Sequence, residues 1–115
     1  MESILTSIKK LLGIPEECAD FDIDLIIHIN SVFLILNQIG VGPKTCFSIS
    51  SDEQTWKDFI GESKNYNAVK SYMYTRVKAL FDSSTASSTH LDALKNQGDE
   101  LEWRLNLEAE SETEV

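Results

Sequence analysis

The apolar pattern of residues 22–39 constrains the fold more than any other feature, because it gives one predicted helix two separate apolar surfaces. The larger surface is a broad face: Leu25, Ile26, Ile29, Val32, Phe33, Leu36 and Ile39. The smaller surface is a strip of Ile23, Ile27 and Leu34, which lines of polar residues separate from the broad face. Such a helix is either central in a small bundle, or buried by its own fold on one side and by a neighbouring molecule on the other.

Four other segments repeat apolar residues at helical spacing, so we predict an all-α fold, a small helical bundle of about four to five helices. The predicted helices cover residues 2–12, 22–39, a short segment ending at Gly61, 66–81 and about 88 onward. Asp22 is expected to be an N-cap, and Ser51 with Gln54 matches a capping box for the short helix. Residues 47–50 alternate like a short strand, although the sequence shows no second strand to pair with it. Gly98 interrupts the leucine seam of the last helix.

The chain is acidic, with 115 residues and a net charge of −9, and its length suits a single domain. Four glutamates lie near its end: Glu108, Glu110, Glu112 and Glu114. We therefore predict a helical domain over residues 1–107 and an acidic C-terminal tail over residues 108–115. Trp103 and Leu107 lie nearly opposite the leucine seam, so we expect the segment from Trp103 onward to be mobile until a partner orders it. A surface this acidic repels phosphate backbones, which argues against nucleic-acid binding.

No arrangement of residues points to catalysis, a cofactor or a metal ion, so we predict that the chain is not an enzyme. Cys18 and Cys46 are far apart and lack CxxC spacing, which indicates two reduced thiols. His28 and His90 have no carboxylate or thiol at ligand spacing. The sequence has neither a glycine-rich nucleotide loop nor a serine nucleophile elbow. We also expect no membrane span and no signal peptide, because no apolar run is long enough and the first residues lack the required pattern.

Five stretches of the chain, in their order and spacing, resemble the head–tail connector (adaptor) proteins of tailed bacteriophages. These stretches are residues 20–33 (DFDIDLIIHINSVF), 40–43 (GVGP), 56–61 (WKDFIG), 72–82 (YMYTRVKALFD) and 100–106 (ELEWRLN). The chain departs from the family pattern at Ser83 and Ser84, where prolines are expected, and at Gly98, where an apolar residue is expected.

The resemblance implies a structural protein of the virion neck, made in the host bacterial cytoplasm and assembled as a ring of about twelve subunits beneath the portal. Its partners would be further copies of itself, the portal protein and a stopper or tail-completion protein, with DNA passing through the lumen without specific binding. In the resembling family the C-terminal segment engages the portal, which makes the candidate portal-binding residues Trp103, Arg104, Leu107, Glu108, Glu110 and Glu112. We assign the strip of Ile23, Ile27 and Leu34 to the subunit interface.

A function of another class stays open at this point, a small acidic protein-binding regulator such as a DNA-mimic inhibitor. The net charge suits such a protein. A mimic, however, arrays its acids over a patterned surface, whereas the acids of this chain cluster in loops and at the C-terminus.

Overall fold

The computed structural model describes residues 3–42, 47–60, 66–82 and 87–113, with the backbone alone for residues 110–113. These residues form five α-helices: α1 (Ile4–Leu12), α2 (Asp22–Gln38), α3 (Trp56–Ile60), α4 (Tyr66–Phe81) and α5 (Ser88–Thr113). An isolated antiparallel bridge joins Ser3 to Thr55, and the described ranges contain no strand. The predicted all-α class and small helical bundle are confirmed. Among the described helices, none is long and apolar enough to cross a membrane.

The core lies where α1, α2 and α4 meet, and the buried Trp56 and Phe59 of α3 are part of it. The α4 helix packs against both α2 and α5, so it lies between them. Trp56 of α3 is fully buried, and its indole Nε1–H donates to Ser7 Oγ of α1 at 2.8 Å. The buried residues of α2 all come from the predicted broad face: Leu25, Ile29, Val32, Phe33 and Leu36. The broad face of α2 is therefore the one that the fold itself buries.

The predicted capping box for α3 is in the wrong place. Gln54 Oε1 does accept the Ser51 N–H at 3.2 Å, but the helix begins only after Thr55. The true box is formed by Thr55 and Asp58: the Thr55 N–H donates to Asp58 Oδ2 at 2.9 Å, and the Asp58 N–H donates to Thr55 Oγ1 at 3.3 Å. The Gln54 carbonyl accepts the Ile4 N–H at 3.0 Å, and this pairing with α1 keeps Gln54 outside the helix.

Asp22 is likewise not the N-cap of α2. Phe21 occupies the cap position, and Asp22 is the first helical residue. Its carboxylate instead lies 2.9 Å from the ammonium of Lys9, which is buried in α1. The same ammonium donates to the carbonyls of Glu16 at 2.9 Å and Cys18 at 2.7 Å. Lys9 therefore joins α1 to the loop before α2, at the end of the bundle where both meet.

We expect Lys9→Ala to lower the free energy of unfolding by about 2–4 kcal/mol, because two carbonyls and a carboxylate would lose a buried cationic donor. Urea unfolding followed by circular dichroism measures this change. Lys95→Ala, at an exposed position of α5, is the matched control. A loss below about 0.5 kcal/mol for Lys9→Ala, as for an ordinary surface substitution, would rule out the structural role of Lys9.

The extended segment near Ile49 pairs with a side chain instead of a strand. Asn30 of α2 donates from Nδ2 to the Ile49 carbonyl at 3.0 Å, and its Oδ1 accepts the Ile49 N–H at 2.7 Å. Phe47 of this segment packs on Phe33 and Phe59, with ring centroids 5.1 and 5.3 Å apart. Asn30, part of a polar line between the two apolar surfaces of α2, is therefore used inside the fold.

Candidate functional site

The strip of Ile23, Ile27 and Leu34 is an exposed apolar surface, which we call the α2 stripe. The three side chains are 75%, 57% and 50% exposed, respectively. They lie roughly half a helical turn from the buried face of α2, which packs on the core. The structure thus separates the α2 stripe from the core of the subunit and brings its three members onto one line.

The α2 stripe begins between two aspartates, Asp22 and Asp24, and continues into a stretch of sequence without charge. From Leu25 to Pro43 the sequence contains no Asp, Glu, Lys or Arg, although a quarter of the whole chain is charged. Ser31, beside the stripe, turns its hydroxyl back to the Ile27 carbonyl at 3.0 Å. The centres of protein interfaces are depleted of charged residues in the same way, whereas exposed helix faces ordinarily carry them. This composition is typical of a surface that a partner covers.

A second exposed apolar surface lies on α5 and consists of Trp103 and Leu107, which we call the α5 stripe. These side chains are 63% and 45% exposed. They lie one turn apart and about half a turn from the buried seam of the helix. The buried residues of that seam are Leu94, Gly98, Leu105 and Ala109. The two stripes lie on different helices, each of which packs against α4.

The C-terminal helix extends into the segment that was predicted to be an acidic tail. α5 continues to Thr113, and Leu105 and Ala109 are buried. Ala109 lies beside Gly40, where an added Cβ would be 3.4 Å from the Cβ of Ala109. The expectation of a mobile segment from Trp103 onward is therefore wrong for residues 103–109, because the seam of α5 continues to Ala109. The predicted boundary between residues 107 and 108 does not coincide with the end of the helix.

The charged candidates for portal binding are exposed where their side chains are described. Arg104 forms an ion pair with Glu100, one turn earlier on α5, at 2.8 Å, and Glu108 is exposed. Glu110 and Glu112 lie within α5, but their side chains are outside the described part of the chain. The last turn of α5 carries no basic residue to offset the negative end of the helix dipole. A basic partner surface would therefore stabilise this end of the helix.

Sequence reasoning missed a polar cluster that joins α4 to α5. The buried Tyr72 donates its hydroxyl to Glu102 Oε1 at 2.8 Å, and Arg76 donates to Asp99 Oδ1 at 2.8 Å. The Arg76 guanidinium lies 5.3 Å from the centre of the Tyr72 ring and packs against Gly98. Gly98, expected to be a weak point of the helix, thus makes room for a charged side chain. Only the glycine at a seam position signalled this arrangement in the sequence.

Burial is the main reason that the pKa of Tyr72 rises from 10.0 to about 12. The unfolded chain would lose this proton near pH 10, whereas the folded protein holds it until about pH 12, so stability falls as the pH rises through that window. We expect Tyr72→Phe to show a smaller loss of stability than the wild type between about pH 9 and about pH 11. Urea unfolding at the two pH values measures this, and identical losses in both proteins would refute the expectation.

The remaining candidate residues form no chemical site in the part of the chain that is described. No group of three or more His, Cys, Asp or Glu side chains there could hold a metal ion. His90 Nε2 lies 3.7 Å from Asp82 Oδ2, and Cys18 is a free, partly buried thiol. Cys46 lies outside the described residues. The surfaces that stand out are therefore the two apolar stripes.

Comparison with known proteins agrees with the four helical motifs and the loop that first indicated a resemblance. The model of the family described as "Phage connector protein" matches residues 4–112, nearly the whole chain. No curated protein and no solved structure matches this chain. The family match confirms the resemblance to connector proteins, and the chain therefore belongs to the phage connector protein family, whose members are structural components of the virion.

Proposed function

We propose that this chain is a head–tail connector subunit that assembles as a ring beneath the portal and links the DNA-filled head to the tail or to a stopper protein. Membership of the connector family supports a structural role in the virion. The observation that carries the finer proposal is the pair of exposed apolar stripes on α2 and α5, with α4 between them. A subunit of this kind has separate surfaces for a neighbouring copy and for a different partner.

The α2 stripe is the proposed subunit contact within the ring. A ring of identical subunits uses a head-to-tail contact, in which one surface of each copy meets a different surface of the next. The α2 stripe is apolar and exposed, and its Ile27 and Leu34 lie in a stretch of sequence without charge, as the centre of a permanent contact requires. Family resemblance suggests about twelve copies in the closed ring.

The α5 stripe and the acidic end of α5 are the proposed portal contact. A largely exposed tryptophan is a frequent anchor of protein interfaces, so Trp103 would enter an apolar pocket with Leu107 beside it. Arg104 and the glutamates from Glu108 onward would pair with charged groups around that pocket, the glutamates with basic ones. Such pairing would also offset the unfavourable clustering of negative charge at the C-terminal end of α5.

Mixing experiments test the ring and the portal contact together. The purified chain and the purified portal protein from the same phage would be combined and separated by size-exclusion chromatography with light scattering. The proposal predicts a complex in which a ring of this chain co-elutes with the portal. Separate elution of the portal and a monomeric connector, at concentrations above about 10 μM, would count against it.

We expect the isolated protein not to bind duplex DNA at physiological salt. Each subunit carries a net charge of −9, and a ring multiplies that charge around its lumen. Repulsion of the phosphate backbone lets DNA pass without adhering to the wall. A gel-shift assay with duplex DNA at about 0.15 M salt measures this. Retarded DNA would conflict with the proposed passage of DNA through the ring without specific binding.

A further inference from the structure

The position of the α5 stripe on the subunit surface depends on the register in which α5 packs against α4. We propose that Tyr72, Arg76 and Gly98 are positioning residues, which hold α5 in one register on α4 and thereby fix the position of Trp103. This proposal rests on the proposed function, in which Trp103 anchors the portal contact.

The apolar seam of α5 fixes its register on α4 only in part. Leu94 and Leu101 are seven residues apart, so a slide by one heptad, about 10 Å, again places leucine at this position. The same slide brings Gly98, Glu108 and Glu112 to the places of Leu91, Leu101 and Leu105, which opposes it. An additional contact that fits only one alignment would fix the register fully.

The polar cluster supplies that contact. Tyr72 and Arg76 lie one turn apart on α4, and their partners Glu102 and Asp99 lie one turn apart on α5. Both hydrogen bonds measure 2.8 Å. Sliding α5 by one turn, about 5.4 Å, would separate both pairs and leave the buried Tyr72 hydroxyl without its acceptor. Polar residues within an apolar seam are known to specify register in this way.

Gly98 allows the cluster to form inside the seam. A Cβ at this position would lie 2.8–2.9 Å from atoms of the Arg76 guanidinium, closer than a Cβ lies to its neighbours in folded proteins, so the guanidinium would have to move. The guanidinium therefore occupies the space that a side chain would take, and it lies over the Tyr72 ring at the same time. Glycine is unfavourable inside a helix, and its presence at this seam position is explained by the space that it leaves for the Arg76 side chain.

The position of Trp103 follows from the contact of the preceding residue. Glu102 is held against Tyr72, and successive helix residues turn by about 100°, so Trp103 is directed away from α4. Its large exposed fraction agrees with this orientation. In a register displaced by one turn, Trp103 would move by about 5.4 Å along α4 and lose its match to a pocket on a rigid partner.

Spin-label distances between α4 and α5 test the proposal in the full-length chain. Labels are attached at Asn67→Cys and Lys95→Cys, both exposed positions, after the native cysteines are replaced by serine. We expect one narrow distance for the otherwise unchanged protein. The Tyr72→Phe/Arg76→Met variant is expected to broaden the distribution or to add a second distance displaced by about 5 Å. Lys78→Met, which removes an ion pair to Asp82 just after the same helix, should keep the single distance.

A folded double variant with the same single distance as the parent would overturn the proposal. Should the double variant fail to fold, the single variants Tyr72→Phe and Arg76→Met are judged by the same criterion. Binding of the portal protein by the Trp103→Ala variant distinguishes this inference from the proposed function. If Trp103→Ala binds the portal as well as the wild type does, and the register shifts in the Tyr72 and Arg76 variants, the portal contact is refuted and the positioning role is still supported.

Discussion

Ile27→Asp is expected to give a folded, helical subunit that no longer forms a ring. Ile27 is mostly exposed in the subunit, so the new carboxylate stays in water and costs the isolated chain no more than about 1 kcal/mol. In the ring the same carboxylate would be buried against an apolar neighbour without a partner, at a cost of several kcal/mol for each contact. Every subunit repeats that contact, so light scattering in the presence of the portal should detect no ring.

Two further variants serve as controls for the Ile27→Asp result. Ile29→Asp places the same charge on the buried face of α2 and should unfold the subunit, since Ile29 is fully buried. Asn67→Asp adds a charge at an exposed position outside both stripes and should assemble like the wild type. Unfolding of the Ile27→Asp monomer would assign the α2 stripe to the core. A folded Ile27→Asp protein that still forms rings would place the subunit contact elsewhere.

Trp103→Ala is expected to weaken portal binding by at least about 30-fold, the loss typical of an interface residue worth 2 kcal/mol or more. The subunit itself should keep its stability within about 0.5 kcal/mol, because the side chain is mostly exposed. Surface plasmon resonance with immobilised portal measures the binding, and urea unfolding measures the stability. Leu107→Ala, one turn away on the same stripe, should weaken binding in the same direction.

A point substitution is a better test here than a truncation. Deleting residues 103–115 would remove Leu105 from the core and Ala109 from its place beside Gly40, so loss of binding could follow from loss of the fold. Lys95→Ala, at an exposed position of α5 outside the stripe, is the control and should bind the portal normally. Wild-type affinity of Trp103→Ala would show that the portal is held by another surface.

Helices that are periodic in the sequence lie close to their predicted positions. All the buried residues of α2 belong to the predicted broad face, of which Ile26 and Ile39 are only partly buried, and the smaller strip was separated from it, because both follow from the helical repeat alone. α4 begins at Tyr66 and ends at Phe81, as predicted. No end was predicted for α5, because Ala109, which is buried near that end, is a small residue and adds little to an apolar pattern.

Features that depend on tertiary contacts could not be predicted. Ser51 with Gln54 and Thr55 with Asp58 both have the spacing of a capping box, and the pairing of Gln54 with α1 decides between them. The amide of Asn30 pairs with a segment nearly twenty residues away, which no local pattern reveals. The polar cluster behind Gly98 arises in the same way, because it needs α4 and α5 side by side.

A cryo-electron microscopy map of the virion neck would locate this chain and its contacts in the assembled particle. We expect a ring of this chain between the portal and the next neck protein, with the α2 stripe covered by an adjacent copy and Trp103 covered by the portal. A neck that lacks this chain would contradict the connector role. A ring that leaves the α2 stripe facing solvent would contradict the proposed subunit contact.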